Sequence, residues 1–326
     1  MPDRLSRGKV QRVLAGAVGA GQRLDNFLLR TLSGVPRSRV YRLLRRGEVR
    51  VNGKRSKADY RLAASDEVRL PPVRDARAEG PPARGVPDAL QATVRGAIIH
   101  EDDRLLVLNK PAGLAVHGGS GLSFGAIEAL RALRPDESLE LAHRLDRDTS
   151  GCLLVARNRP ALRMLHALLR EGRIEKRYAA LVAGRWRLGR KTIDAPVLTH
   201  ARQAGERVVR VHAAGKTAIS RFAPRQAFRS LATLMDVAID TGRTHQIRVH
   251  AAFAGHPVAG DDKYGDREFN RRMHELGLRR MFLHAAAVSF NWPDTRQPFA
   301  IAVELPDDLG NLLLRLPVAA AASAQA

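Results

Sequence analysis

The sequence predicts an α+β protein in two parts, a small helix–helix–hairpin module followed by a larger domain of strands and helices. Three observations predict it. Apolar residues recur at helical spacing after Gly21 and give way to short alternating stretches around Asn52-Gly53. A segment at 75–91, rich in Pro, Ala, Arg and Gly, has no apolar periodicity and reads as a linker. From 92 to 318, short apolar runs alternate with polar, glycine-containing loops. A chain of 326 residues is long enough to bury a core in more than one domain.

Residues 1–20 carry basic and small apolar residues without clear periodicity. They read as a flexible arm, in which 10–14 can pair with a sheet. The module spans 21–74. Leu24, Phe27, Leu28 and Leu32 lie on one face of a first helix. Pro36 opens a second, with Val40, Leu43 and Leu44 on its inner face, and Gly47 closes it. Glu48-Val49-Arg50-Val51 alternates like a strand. Asn52-Gly53 is a hairpin signal, since both residues accept positive φ. Asp66-Glu67-Val68-Arg69-Leu70 is a further strand, ended by Pro71-Pro72.

In the second domain, Ala97-Ile98-Ile99-His100 and Leu105-Leu106-Val107-Leu108 read as strands flanking a turn. Helices are expected at 124–133 and 160–170. Between them the nonapeptide His143-Arg144-Leu145-Asp146-Arg147-Asp148-Thr149-Ser150-Gly151 feeds a buried strand, Cys152-Leu153-Leu154-Val155-Ala156. A strand with one tyrosine follows at 176–182. Basic turns and short strands then run to a strand at 234–239 and on into Thr241-Gly242-Arg243-Thr244-His245-Gln246-Ile247-Arg248-Val249-His250. Residues 319–326, rich in Ala and Ser, read as a disordered tail.

Charge narrows the function. Lys and Arg number 55 against 33 Asp and Glu, a net of +22, which argues for a polyanionic partner. No apolar run approaches the roughly 20 residues of a spanning helix, so nucleic acid is favoured over membrane. The first residues lack the apolar core of a secretory signal. A single cysteine, Cys152, excludes an internal disulfide framework and suits a reducing cytoplasm. The module holds fourteen basic residues against five acidic ones. Arg37, Arg39, Arg42, Arg45 and Arg46 stand opposite the apolar face of its second helix, and with Lys54 they are candidate RNA contacts.

The nonapeptide concentrates charge beside a core strand, where an unpaired charge is costly. Asp146 stands between Arg144 and Arg147, cations that can hold it ionised. Asp148 shares a side with Asp146 on an extended segment, but a loop can splay the two; Asp146 is the chemical candidate and Asp148 the loop holder. A kinase reading of His143-Arg144-Leu145-Asp146 lacks its nucleotide loop and Mg²⁺ motif. The glycine cluster at 118–121 fits no phosphate-binding pattern. His245 and His250 are five apart, not the four of a helical zinc pair, and no Cys or Glu completes a set.

Several stretches together resemble the pseudouridine synthases of the RluA family: Asn109-Lys110-Pro111-Ala112-Gly113, the nonapeptide, Tyr178 in its strand, 241–250, and Phe282-Leu283-His284-Ala285. The amino-terminal module, through Arg23-Leu24-Asp25-Asn26-Phe27 and Val51-Asn52-Gly53-Lys54, resembles the RNA-binding domain first seen in small-subunit ribosomal protein four. The resemblance covers 21–310. It implies a catalytic domain with a mixed, largely antiparallel sheet, and conversion of specific uridines to pseudouridine in large-subunit (23S) ribosomal RNA. It also implies a monomer needing no nucleotide, metal or other cofactor. In this reading Asp146, Tyr178 and Arg243 are catalytic. Asp146 serves as nucleophile or base, Arg243 pairs with it, and Tyr178 stacks on uracil and helps remove the carbon-five proton. Leu283 packs beneath the site, Arg144 enters the base stack as the target flips out, and Lys110 and His143 join the substrate-binding set. A tRNA-modifying relative and a non-catalytic ribosome-assembly factor on the same fold are the rivals.

Overall fold

The computed structural model describes residues 10–32, 35, 37–72, 85–119, 122–201 and 207–317. The chain divides into two units, 1–85 and 86–326. The expected tail, and the expected linker as far as residue 84, lie outside the described residues.

The first unit runs β1 (Gln11–Leu14), α1 (Gly16–Gly19), α2 (Leu24–Thr31), α3 (Arg37–Arg46), β2 (Arg50–Val51) and β3 (Glu67–Leu70). Its strands form one antiparallel sheet, ordered β1-β3-β2. Leu24, Phe27 and Leu28 of α2 pack with Val40, Leu43 and Leu44 of α3 and with Val51, Val68 and Leu70 of the sheet. The Asn52-Gly53 turn forms, with φ of 51° and 75°. Backbone bonds of 2.9 Å between Val51 and Lys54 close it in both directions. The ladder partner of β2 is nevertheless β3, not the residues directly after the turn. Asp66 explains the longer connection. Its buried carboxylate accepts from Asn52 Nδ2 (2.7 Å), Tyr60 Oη (3.1 Å) and Ala63 N (2.8 Å), folding 54–65 back onto the turn.

The second unit begins with α4 (Asp88–Gly96), so helix starts inside the stretch read as linker. Next come β4 (Ile98–Glu101), β5 (Leu105–Lys110), α5 (Ala126–Leu133), β6 (Glu140–Leu141), β7 (Ser150–Ala156), α6 (Arg159–Arg170) and β8 (Glu175–Ala183). Asn158 caps α6 by accepting from Ala161 N at 2.9 Å, with Pro160 in the first turn where its missing N–H costs nothing. The chain continues through β9 (Lys191–Asp194), β10 (Val197–Ala201), β11 (Arg207–Val211), β12 (Ile219–Phe228), β13 (Ala232–Ile239) and α7 (Gln246–Phe253). It ends with α8 (Arg267–Glu275), β14 (Leu283–Asn291), β15 (Pro298–Ala302) and α9 (Asp307–Arg315).

Ten of these strands form one sheet, ordered β4-β5-β7-β14-β8-β13-β12-β9, with β15 on β14 and β6 on β7. Its pairs are antiparallel except β14 with β7, where His284 faces Ser150 and Ala285 faces Gly151. That parallel pair joins the end of the nonapeptide to the Phe282-Leu283-His284-Ala285 stretch. Gly151 makes it possible: at φ +107°, a Cβ there would stand 2.2 Å from the Ala285 carbonyl oxygen. On one face of the sheet Tyr178, Ala180 and Val182 of β8 pack with Val237, Phe222 and Ile247. Cys152 packs with Leu154, Leu165 and Leu168 in a second cluster, as a small buried hydrophobe.

Candidate active site

The cleft lies where the loop before β7, the middle of β8, the loop between β13 and α7, and the start of β14 meet. Asp146, Arg144, Tyr178, Arg243, His245, Arg248 and Leu283 are among its lining residues. Of the nonapeptide, Arg144, Leu145, Asp146 and Thr149 face it. Asp148 does not; it is half-exposed and takes an ion pair from Arg147 at 3.2 Å.

Asp146 is the carboxylate of the cleft, its side chain 18 % exposed. Its cation is Arg248, whose Nη1 stands 3.3 Å from Asp146 Oδ2. The pairing expected of Arg243 is therefore not made. Arg243 is exposed on the rim and gives Nε–H to the Thr217 carbonyl at 3.0 Å. Arg243 belongs to the loop, whereas Arg248 is the third residue of α7 and lines the cleft from the first turn of that helix. The loop itself is clamped by Gln246, which is 3 % exposed. Its Oε1 accepts from Thr241 Oγ1 (2.7 Å) and Arg243 N (3.0 Å), and its Nε2 donates to Ile219 O and Ser220 Oγ.

A second carboxylate stands behind the first. Asp261 takes Arg248 as a fork, Nε to Oδ2 at 2.7 Å and Nη2 to Oδ1 at 2.8 Å. Asp261 is wholly buried, and burial alone would raise its pKa. The Arg248 guanidinium and the N–H groups of Tyr264 and Lys263 outweigh that and hold it below the usual carboxylate range. Arg248 is in turn locked in its charged form. Nothing in the spacing of 241–265 announces this fork, since its partners lie thirteen residues apart.

His245 occupies the left-handed region at φ 53°, ψ 21°, as the N-cap of α7. Such a backbone is uncommon outside glycine and concentrates at functional sites. Its Nε2 is 3.9 Å from Asp146 Oδ1, and its Nδ1 is 2.8 Å from Tyr264 Oη. Tyr178 is 8 % exposed at the cleft floor. Burial, and then the charge of Asp146, raise its pKa, so its hydroxyl keeps its proton at neutral pH. Leu283 is buried beside it, and Arg144 is exposed on the cleft wall.

Two residues expected to bind substrate make their hydrogen bonds within the protein. Lys110 is fully buried and donates all three Nζ–H groups to carbonyls, of Pro111 (2.8 Å), Leu114 (2.8 Å) and Arg147 (2.9 Å). It ties the loop after β5 to the loop that carries Asp146. Burial pushes its pKa down to about 7, with the carboxylates of Asp148 and Asp146 opposing. His143 accepts the Leu154 N–H at its Nε2 (3.0 Å), so its ring extends the β6–β7 pairing in place of backbone. Burial, reinforced by the Lys176 ammonium, lowers its pKa to about 4 and keeps it neutral. Among the described residues no group of three or more His, Cys, Asp or Glu could hold a metal. His250 is bound instead to Ser220 Oγ and the Ala195 carbonyl, both at 2.9 Å.

On the first unit, Arg42, Arg45, Arg46 and Lys54 are exposed and Arg39 is half-exposed. The Arg37 side chain lies outside the described residues. Among the described residues no helix is long and apolar enough to cross a membrane.

Residues 104–253 match the RNA pseudouridylate synthase family, and residues 22–68 match the S4 domain. The chain is 54 % identical over 312 residues to the "Ribosomal large subunit pseudouridine synthase C" of Escherichia coli (strain K12), covering 94 % of this chain and 97 % of that protein. The protein of the same name from Salmonella typhimurium is 55 % identical over 304 residues, 92 % of this chain and 93 % of that one. Among solved structures, "Human RNA Pseudouridylate Synthase Domain Containing 4" superposes with a TM-score of 0.58 at 25 % identity, covering 70 % of this chain and 96 % of that chain.

Proposed function

The chain belongs to the RNA pseudouridylate synthase family, and from that membership we propose that it isomerises specific uridines of large-subunit ribosomal RNA with Asp146 as the reacting group. The enzyme class follows from the family; the residue roles are those the resemblance implies, with the cleft geometry as their support. One observation carries them. Asp146 is the cleft's carboxylate, held by a buried arginine that is itself forked by a second buried carboxylate.

The reaction breaks the bond between uracil N1 and ribose C1′ and forms one from uracil C5 to C1′. The C5 proton is lost and N1 gains one, so no atom or electron is supplied from outside. Asp146 acts on the ribose, as nucleophile or base, and either route needs it ionised. Arg248, with Nη1 3.3 Å from Oδ2, gives it a charged partner and fixes its orientation. Tyr178 supplies a face on which the uracil stacks. Because its hydroxyl holds its proton, removal of the C5 proton through Tyr178 requires that proton to be passed on in the same step. Leu283 closes the apolar side of the cleft. Arg144 occupies the base stack when the target flips out, a guanidinium stacking well on bases. Arg243, free of Asp146, serves the RNA at the rim.

The exposed arginines of α3 bind phosphate and position the enzyme without reading sequence. The protein acts as a monomer in the cytoplasm, with no cofactor.

The test is tritium release from carbon-five-labelled uridine in ribosomal RNA, with pseudouridine mapped in RNA from cells with and without the chain. Asp146→Asn is nearly isosteric but a poor nucleophile and base, and should abolish release while RNA affinity stays. Release within about tenfold of the parent would remove Asp146 from the mechanism. RNA binding without any pseudouridine in the parent would favour the assembly-factor reading.

A further inference from the structure

One turn, 261–264, stands behind both groups that face Asp146. Asp261 forks Arg248. Tyr264 reaches both: its ring lies 5.1 Å from the Arg248 guanidinium, and its hydroxyl is 2.8 Å from His245 Nδ1. The same hydroxyl accepts the Val209 N–H of β11 at 3.0 Å. A phenolic oxygen that already accepts an N–H has its own proton to give, and Nδ1 stands within reach of it. Burial lowers the pKa of His245, and Arg248 and Lys263 add to that against the pull of Asp146. A neutral imidazole that accepts at Nδ1 carries its proton on Nε2. Nε2 is the nitrogen that faces Asp146 Oδ1, at 3.9 Å. The other tautomer would aim a ring lone pair at the carboxylate.

We propose that Tyr264 is a positioning residue of the reaction: through His245 Nδ1 it selects the tautomer whose Nε2–H is directed at Asp146, and the β10–β11 hairpin holds it there through Val209. The proposal rests on Asp146 being the reacting group. At 3.9 Å, Nε2–H points at the resting carboxylate without bonding to it. Its field is in place before the substrate arrives, so nothing has to reorganise as charge on Asp146 is redistributed. The left-handed backbone of His245 and the edge-on contact of its ring with Tyr264, centroids 5.5 Å apart, fix the ring's direction.

Tyr264→Phe keeps the ring over Arg248 and removes only the hydroxyl. Two readouts on the full chain test it. The first is the long-range ¹H–¹⁵N imidazole spectrum, with the His245 signals identified by their loss in His245→Asn. The parent should show the Nε2–H tautomer, and Tyr264→Phe a mixture. The second is tritium release under saturating RNA. Tyr264→Phe should lower kcat about three- to tenfold, the worth of one ordering hydrogen bond, and leave KM within about twofold. The loss should vanish when Tyr264→Phe is made in the His245→Asn background. An Nδ1–H tautomer in the parent overturns the proposal, whether or not the variants fold. So does a kcat loss of the same size in both backgrounds, which would mean that Tyr264 acts through the hairpin or Arg248 alone. If the parent makes no pseudouridine, the functional reading fails, while the spectrum still decides the Tyr264–His245 arrangement.

Discussion

Replacing Arg248 by alanine, beside the same change at Arg243, separates the arginine that pairs with Asp146 from the one expected to. Arg248 is 11 % exposed and makes three bonds to two carboxylates, Asp261 among them fully buried. Arg248→Ala strands Asp261 without its cation. Breaking one side of a buried pair costs about 3–5 kcal/mol. The remaining N–H donors to Asp261, from Lys263 at 2.9 Å and Tyr264 at 3.1 Å, place the cost at the low end, about 3 kcal/mol. Asp146 loses its charge-assisted partner in the same step. Removing one preorganised donor at a reacting charge lowers turnover about 100- to 1000-fold. Arg243→Ala removes one bond to an exposed carbonyl and should cost less than about 1 kcal/mol, with kcat within about threefold. Trp186 and Trp292 are buried in the catalytic unit, so their fluorescence in urea reports its stability. Single-turnover tritium release reports the chemistry. Arg248→Gln with Asp261→Asn leaves no charge buried alone, and should recover most of the stability and none of the turnover. Equal activity losses for Arg243→Ala and Arg248→Ala would refute the assignment, and so would recovery of turnover in the double variant.

Lys110→Met keeps the side chain's bulk and orphans three carbonyls; it should destabilise the catalytic unit by about 3 kcal/mol or more, and a loss of RNA affinity at unchanged stability would return Lys110 to the substrate contacts. Asp25 is buried, and hydrogen bonds from Arg23, Tyr41 and the Asn26 N–H lower its pKa to about 2. Its folded pKa is depressed, so its contribution of about 2 kcal/mol is complete above pH 4 and is lost as pH falls toward 2. Asp25→Asn should flatten the module's stability in that window, measured against the parent, and an identical pH curve would sink the reading. Changing Arg42, Arg45 and Arg46 together to Gln should flatten the plot of log RNA affinity against log salt by about two units; an unchanged slope would mean that the α3 face is merely solvated.

Much of this molecule is legible in local pattern. The two helices of the amino-terminal module follow from the spacing of Leu24, Phe27 and Leu28 and of Val40, Leu43 and Leu44, because one buried stripe per helix needs no distant partner. The buried strand after the nonapeptide, the Asn52-Gly53 turn and the bland role of Cys152 follow from residue type alone. Helices α7, α8 and α9 were not legible in this way. In α7, Ile247, Val249 and Ala251 are all buried, together with Gln246 and His250, so the segment carries no polar face for a period to show. The helix over 88–91, inside the stretch read as linker, was not legible for a related reason: α4 presents Val94 as its buried residue, too little apolar surface to mark a helix from sequence.

At the site, composition and motif determined that this chain is a basic protein with a charged loop beside a core strand, and that Asp146 is its chemical candidate. Which cation answers Asp146 was decided only in three dimensions. Arg144 and Arg147 are sequence neighbours and Arg243 stands in the matching motif, yet Arg248 makes the pair, because α7 turns it inward while Asp261 anchors it from behind. The partners of Lys110 and His143 were likewise decided only in three dimensions. A side chain's role is set by what its polar atoms meet once buried, and carbonyls of Pro111, Leu114 and Arg147, or the N–H of Leu154, are partners that no linear spacing reveals.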